Sequence, residues 1–250
     1  MTVYRCEDSL EGIFTAVYLA YEEKRNHEDT LLSLNDEPVL FAEDVKVTPD
    51  LEKTKKVMNT LNRRFGEDDY LSVCAALATE DEEKAQAVYR TIVDGLTRSV
   101  RKGHLFDNLS NDYVNKAFRL SKASWREIHR FREFIRFQEL ENGILYAKMA
   151  PKCNAMTFLM PHFADRLPIE NFVIYDVRRN FFGVHPAGKQ WYLLFGEEEK
   201  LQIPEVSEEE FRYQELFRSF CRAITIEDRR NERLQRNMLP LRFREYMMEF

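Results

Sequence analysis

The sequence predicts an α+β fold, with a helical N-terminal half packed on a C-terminal antiparallel sheet of about five strands. Three observations carry this. Apolar residues recur at alternating spacings of three and four through much of residues 10–135, the pattern that turns one helix face toward a core. Asn142-Gly143 stands between two strand-like runs, Phe137–Glu141 and Ile144–Met149, a hairpin signal because both turn positions favour positive φ. Three further apolar runs, Phe172–Val177, Phe181–His185 and Gln190–Phe195, follow closely, separated by the turn-forming sequences Arg178-Arg179-Asn180 and Pro186-Ala187-Gly188.

Taken in order, Thr2–Cys6 reads as a short strand. Asp8 or Ser9 then caps a helix, with Glu11 spaced as the capping-box partner of Asp8. Leu10, Ile13, Phe14, Val17, Tyr18 and Tyr21 form its apolar stripe. Leu31–Leu34, Pro38–Ala42 and Val45–Thr48 are short strands or extended loop. Thr48-Pro49-Asp50 supplies a cap, a proline at the first helical position and an early acid. The helix so started runs to Phe65, where Gly66 stops it. A second helix covers Asp68–Thr79 and a third Asp81–Lys102. Gly95 inside the third costs about 1 kcal/mol and points to close packing there.

From Asn111 a stripe of Val114, Ala117, Phe118, Ser121, Trp125, Ile128, Arg132 and Ile135 predicts one long helix. After the hairpin, Pro151 ends the second strand and Asn154–Arg166 is helical in pattern around Pro161. A last helix, Ser207–Ile226, is expected to bury Phe211, Leu216, Phe220 and Ala223, ahead of an Arg-rich tail from Glu227. The expected organisation is a single large domain in three parts: 1–103, 104–226 and the tail 227–250.

At 44% hydrophobic and 32% charged residues, the 250-residue chain can bury a core behind a polar surface. No apolar run approaches the roughly 20 residues that span a bilayer. The start, MTVYRCEDS, carries charges where a secretory signal would be apolar, so the expectation is a cytoplasmic protein without a membrane partner. Cys6, Cys74, Cys153 and Cys221 stand far apart with no C-x-x-C pair, and the five histidines share no ligand spacing. Free buried thiols, no metal and no cofactor follow as expectations. The phosphate-loop and hydrolase motifs, from G-x-G-x-x-G to H-E-x-x-H, are missing from the sequence.

The net charge of −6 is unevenly spread. Residues 1–123 hold 17 Lys and Arg against 23 acids, whereas 124–250 hold 20 of each. Residues 98–136 carry ten basic side chains against four acids, and 229–244 six arginines against one Glu. Two basic segments in an acidic protein suit either a phosphate-rich partner or pairing with the acidic half. On the long helix, Arg119, Lys122, Arg126, Arg130 and Arg136 oppose the apolar stripe, with Trp125 and His129 among them. Candidate nucleic-acid contacts are therefore Arg126, Arg130, the Arg178-Arg179 turn and Arg229, Arg230, Arg233 and Arg236 of the tail. Trp125, His129, Cys153 and His162 are the candidates for a pocket.

The chain also resembles, over nearly all its length, a bacterial family of unknown function whose members carry DNA-metabolism and DNA-repair labels. The matching pieces are Tyr4 with Cys6-Glu7-Asp8-Ser9-Leu10-Glu11-Gly12 and Ala16-Val17-Tyr18; Trp125–Phe134; the Asn142-Gly143 hairpin leading to Pro151; His162-Phe163-Ala164-Asp165-Arg166; and Asn231 through Leu234-Gln235 to Pro240. The end departs from the family's Arg-Tyr-Trp, reading Pro240-Leu241-Arg242-Phe243-Arg244 here. The resemblance implies a radical-SAM protein as partner and, in longer relatives, fusion to a uracil-DNA-glycosylase-like domain. It supplies no catalytic residues.

Three readings stand at this point. The first is a DNA-repair accessory protein that binds nucleic acid, DNA in particular, and acts with a radical-SAM partner. The second is a protein–protein adaptor without DNA contact. The third is an enzyme acting on a damaged base, so enzymatic activity is left open.

Overall fold

The computed structural model describes residues 1–200 and 203–247. The fold is α+β, and its chain packing divides into two compact units, Met1–Arg126 and Glu127–Phe250.

The first unit is built on a small parallel sheet. Strand β1 (Thr2–Arg5) lies between β2 (Thr30–Ser33) and β3 (Glu43–Lys46) and runs parallel to both. Helix α1 (Leu10–Glu22) is the crossover that lets β2 run parallel to β1. The sequence reading foresaw β1 and left the others as strand or loop. Pro38–Ala42 contains no strand: Phe41 sits at φ 59, outside the extended region, and its side chain is fully exposed.

The helix starts follow local side-chain chemistry. Ser9, not Asp8, caps α1, its Oγ accepting from the Gly12 amide at 3.0 Å. Helix α2 (Leu51–Phe65) is capped by Asp50, which takes the Glu52 and Lys53 amides at 2.9 and 3.1 Å. Pro49 therefore precedes the cap rather than opening the helix. Gly66, at φ 91, ends α2 as expected, and α3 (Glu67–Leu77) follows.

Helix α4 (Lys84–Thr97) is shorter than expected at both ends. Asp81 turns the chain ahead of it by accepting the Glu83 amide at 3.0 Å, and Ser99 at φ 51 breaks it. Gly95 is packed as its position suggested: a Cβ there would meet Leu105 and, at 3.0 Å, the Phe65 ring. Tyr4, Ile13, Phe14, Leu61, Phe65, Val88, Tyr89 and Ile92 form the core of this unit.

Helix α5 (Asp112–Phe134) crosses the division between the units and is the single long helix the stripe predicts. The second unit then carries a five-stranded sheet in the order β4-β5-β6-β7-β8. Its strands are β4 (Gln138–Glu139), β5 (Leu145–Met149), β6 (Phe172–Asp176), β7 (Phe181–His185) and β8 (Tyr192–Phe195). Three of the four pairings are antiparallel, but β5 and β6 run parallel, from Leu145 opposite Phe172 to Met149 opposite Asp176. The cause is α6 (Met156–Arg166), which occupies the connection and carries the chain back to the same end of the sheet. Gly183 of β7 leaves room for Met156 and Met160 of α6.

The hairpin forms where Asn142-Gly143 places it, with a different turn. Among the described residues of that loop only Gly143 has positive φ, at 75. Its amide donates to Leu140 O at 2.8 Å, while the Leu140 amide donates to Ile144 O at 3.0 Å. That is a three-residue loop with glycine in the left-handed position rather than a two-residue turn.

Helix α7 (Glu208–Ile224) starts on Ser207, whose Oγ accepts the Glu210 amide at 3.1 Å. The expectation of a buried apolar face is overturned. Phe211, Leu216 and Phe220 are 57–64% exposed and Ala223 is exposed; Gln214 is the buried residue of this helix. Helix α8 (Glu232–Met238), capped by Asn231 through the Leu234 amide, leads to Pro240. Among the described residues, no helix is long and apolar enough to cross a membrane.

Candidate nucleic-acid interface

The residues of α5 separate by angle. Val114, Ala117, Ser121, Ser124, Ile128 and Phe131 are buried at spacings of three and four, so the opposite face carries what the core does not take. Arg119, Lys122 and Arg126 are exposed there, three and four residues apart. Lys122 Nζ sits 5.4 Å from the centre of the Phe118 ring. Among the described residues, no carboxylate lies within ion-pair distance of Arg119, Lys122 or Arg126.

The other arginines of α5, and Arg136 just past its end, are engaged. Arg130, half-buried, places its guanidinium 5.8 Å from the Phe243 ring, and Arg132 donates to Phe158 O at 3.1 Å. Arg136 donates to Glu133 O at 3.2 Å. Of the two α5 arginines proposed as phosphate contacts, Arg126 is thus exposed to solvent and Arg130 packs on the tail.

The pocket candidates have individual environments. Trp125 is half-buried and His129 is exposed. Cys153 is buried, and its amide donates to Glu127 Oε2 at 2.8 Å. His162, half-buried on α6, stands 5.0 Å from the Phe163 ring. Burial lowers its pKa from the usual imidazole range, with Arg132 and Arg166 adding to the effect. None of the four lines the two grooves described below. Among the described residues, no three His, Cys, Asp or Glu side chains converge as metal ligands.

At the β6–β7 turn the two arginines differ. Asp176 is fully buried and accepts the Arg178 and Arg179 amides at 3.0 and 3.2 Å. The Arg179 guanidinium donates to Pro151 O at 3.0 Å, Lys152 O at 2.6 Å and Asp176 Oδ2 at 3.3 Å. It clamps the loop after β5 to this turn, whereas Arg178 is exposed. Burial raises the pKa of Asp176, with Arg179 and the two amides opposing the shift. Asn180 takes the left-handed position at φ 54 and accepts from Tyr175 Oη at 2.9 Å.

The sheet aromatics are mostly core. Phe172, Tyr175, Phe181 and Phe182 are buried, with the Tyr175 and Phe182 rings stacked at 4.4 Å. Tyr192 and Phe195 on edge strand β8 are exposed, and Trp191, ahead of it, is half-buried.

In the tail, Arg229, Arg230, Arg233 and Arg236 are all exposed. Glu232 lies 3.9 Å from Arg230 and 3.5 Å from Arg236. Arg229 and Arg230 line a groove of about 1110 Å³ between the end of α7 and α8, together with Arg218, Arg222 and Arg244. Sequence reasoning missed Arg218 and Arg222 because α7 was taken as a buried helix. Their i, i+4 spacing, facing the tail arginines, was the available signal. A second groove, of about 730 Å³ in the first unit, is lined by Glu37, Glu82, Glu83 and Asp112 among others. Arg5 at its base is already bonded to Asp44 at 2.9 Å and to Asn35 O and Glu37 O at 2.7 and 2.6 Å.

No curated protein matches the chain. A family model does, over residues 82–249, from just before α4 into the C-terminal tail and so over more than half of the chain. By that match the chain belongs to the family described as a domain of unknown function, DUF4130.

Proposed function

We propose that this protein is a DNA-repair or DNA-metabolism accessory protein that binds nucleic acid along α5 and acts beside a radical-SAM enzyme. The observation that supports the reading is the exposed row Arg119, Lys122 and Arg126, three cations on one helix face with no carboxylate beside them among the described residues. Surface cations in an acidic protein usually find carboxylate neighbours, as Lys116 finds Asp81 and Glu83 at 3.1 and 2.5 Å one turn earlier. A row left unneutralised keeps its field for an outside anion, and a helix ridge at this spacing can follow a phosphate backbone. The radical-SAM partner comes from the resemblance in sequence.

The test is fluorescence anisotropy with labelled duplex and single-stranded DNA over a salt series. Binding should weaken steeply with salt, and each phosphate contact removed from the duplex complex should flatten the log–log slope by about 0.9. The variant carrying Arg119→Ala, Lys122→Ala and Arg126→Ala tests the ridge directly. Absence of binding at about 50 mM salt, or a slope the variant leaves unchanged, overturns the reading. Co-purification with the radical-SAM protein tests the partner.

A further inference from the structure

The α7–α8 groove joins two properties that a phosphate site does not need together. Its lining is strongly cationic: Arg218, Arg222, Arg229, Arg230 and Arg244 line it, and among the described residues no acidic side chain does. Arg222 and Arg229 have no carboxylate within ion-pair distance among the described residues. The same lining carries aliphatic side chains: Ile224, Ile226, Leu234 and Met238 belong to it and are 54–70% exposed. Ile224 also ends an apolar row on α7, after Tyr213, Phe217 and Phe220, at spacings of four, three and four. That is the alternation with which one helix receives another.

We propose that this groove docks an acidic amphipathic helix of a partner protein. At about 1110 Å³ it exceeds the usual small-molecule pocket of roughly 300–1,000 Å³. Single-stranded nucleic acid would be held by stacking its bases on aromatic rings, and among the described residues the groove's lining holds none, the exposed Tyr213, Phe217 and Phe220 lying outside it. A duplex would engage the arginines through phosphates and leave the aliphatic side chains facing water. A helix with leucines or isoleucines at i, i+3, i+4 and i+7 covers those side chains, and glutamates on its flanks meet the arginines. Residues of both α7 and α8 line the groove, so the docked element packs ridge into groove against those helices. The chain's net charge of −6 makes this a local inversion of sign, which selects an acidic partner against the rest of the surface. This inference is independent of the α5 ridge, and either can fail alone.

The experiment uses the full chain and a labelled probe peptide of about four helical turns, with leucines on one stripe and glutamates beside it. A scrambled peptide of the same composition, and the DNA probes used for α5, complete the set. The amphipathic probe should bind, and the scrambled one about tenfold or more weaker. Leu234→Asp with Met238→Asp, and separately Arg222→Glu with Arg229→Glu, should each cost about tenfold in peptide affinity while DNA binding is retained. All four positions are exposed, so the variants keep the fold, which circular dichroism checks. Equal binding of the scrambled peptide overturns the proposal, because charge alone would then suffice. Loss of DNA binding in the Arg222→Glu, Arg229→Glu variant overturns it in favour of a nucleic-acid groove. A dimer that the Leu234→Asp, Met238→Asp variant dissociates overturns it in favour of a second copy of this chain.

Discussion

Lys84 Nζ lies 2.6 Å from Asp8 Oδ1, an ion pair whose two ends are unequal: the lysine side chain is 4% exposed and the aspartate 57%. The same ammonium also donates to Thr79 O. Burying a charge is tolerated when it is paired, and removing the partner strands it. Which residue is replaced therefore decides the cost. Asp8→Ala should destabilise the protein by about 2–4 kcal/mol, below the extreme for a fully buried pair because water reaches the aspartate. Lys84→Met removes the buried charge itself and should cost under about 1 kcal/mol. Urea unfolding of the two variants should give clearly different midpoints.

Gly95 sets two effects against each other. Replacing a glycine inside a helix by alanine ordinarily stabilises by about 1 kcal/mol. Here the new methyl meets Leu105 and, at 3.0 Å, the Phe65 ring, both fully buried. Overpacking of about 1–3 kcal/mol exceeds the helix gain, so Gly95→Ala should lower the melting temperature. In Leu105→Ala, which opens the space, the same substitution should be neutral or stabilising. A double-mutant cycle reads that reversal of sign as a coupling energy.

Asp176 makes stability depend on pH in a defined direction. Its pKa is raised by burial, so the folded state holds the proton more tightly than the unfolded chain, whose carboxyl titrates near about 4. Stability from this group is present at acidic pH and is lost as pH rises through the folded value. Asp176→Asn, which still accepts the Arg178 and Arg179 amides, should remove that loss. Relative to wild type, the variant should gain stability as pH rises above about 4, read by urea unfolding. Asp176→Ala orphans the two amides and one arm of Arg179 and should cost about 2–3 kcal/mol throughout.

Glu127 joins two segments of the second unit. One oxygen accepts the Cys153 amide at 2.8 Å, and the other lies 2.8 Å from Arg242 Nη1 without a well-aligned hydrogen bond. Arg242 is partly exposed, so Arg242→Ala should cost only about 1 kcal/mol. Glu127→Ala strands the buried amide as well and should cost about 2–3 kcal/mol, with Glu127→Gln between the two. Thermal unfolding of the three variants gives the order.

Features that depend on neighbours along the chain can be read from the residues alone. The position of the Asn142-Gly143 hairpin, the stop at Gly66, the tight site at Gly95 and the 23-residue helix α5 are all legible, because turn chemistry and helical periodicity act over a few residues. Even there the choice between Asp8 and Ser9 as cap was non-local, since Asp8 is held by Lys84, 76 positions further on.

Tertiary structure decided the rest. The parallel direction of β5 and β6 depends on where α6 returns the chain, and β1 gains two parallel neighbours only when distant segments assemble beside it. The apolar spacing of α7 identified a helix face but not whether anything covers it, and that face is exposed. The arginines behave likewise. Arg179 and Arg130 are occupied by carbonyls, a carboxylate or a ring, while Arg119, Lys122 and Arg126 have no carboxylate beside them among the described residues. A sequence counts charges; whether a charge is neutralised depends on which distant group folds against it.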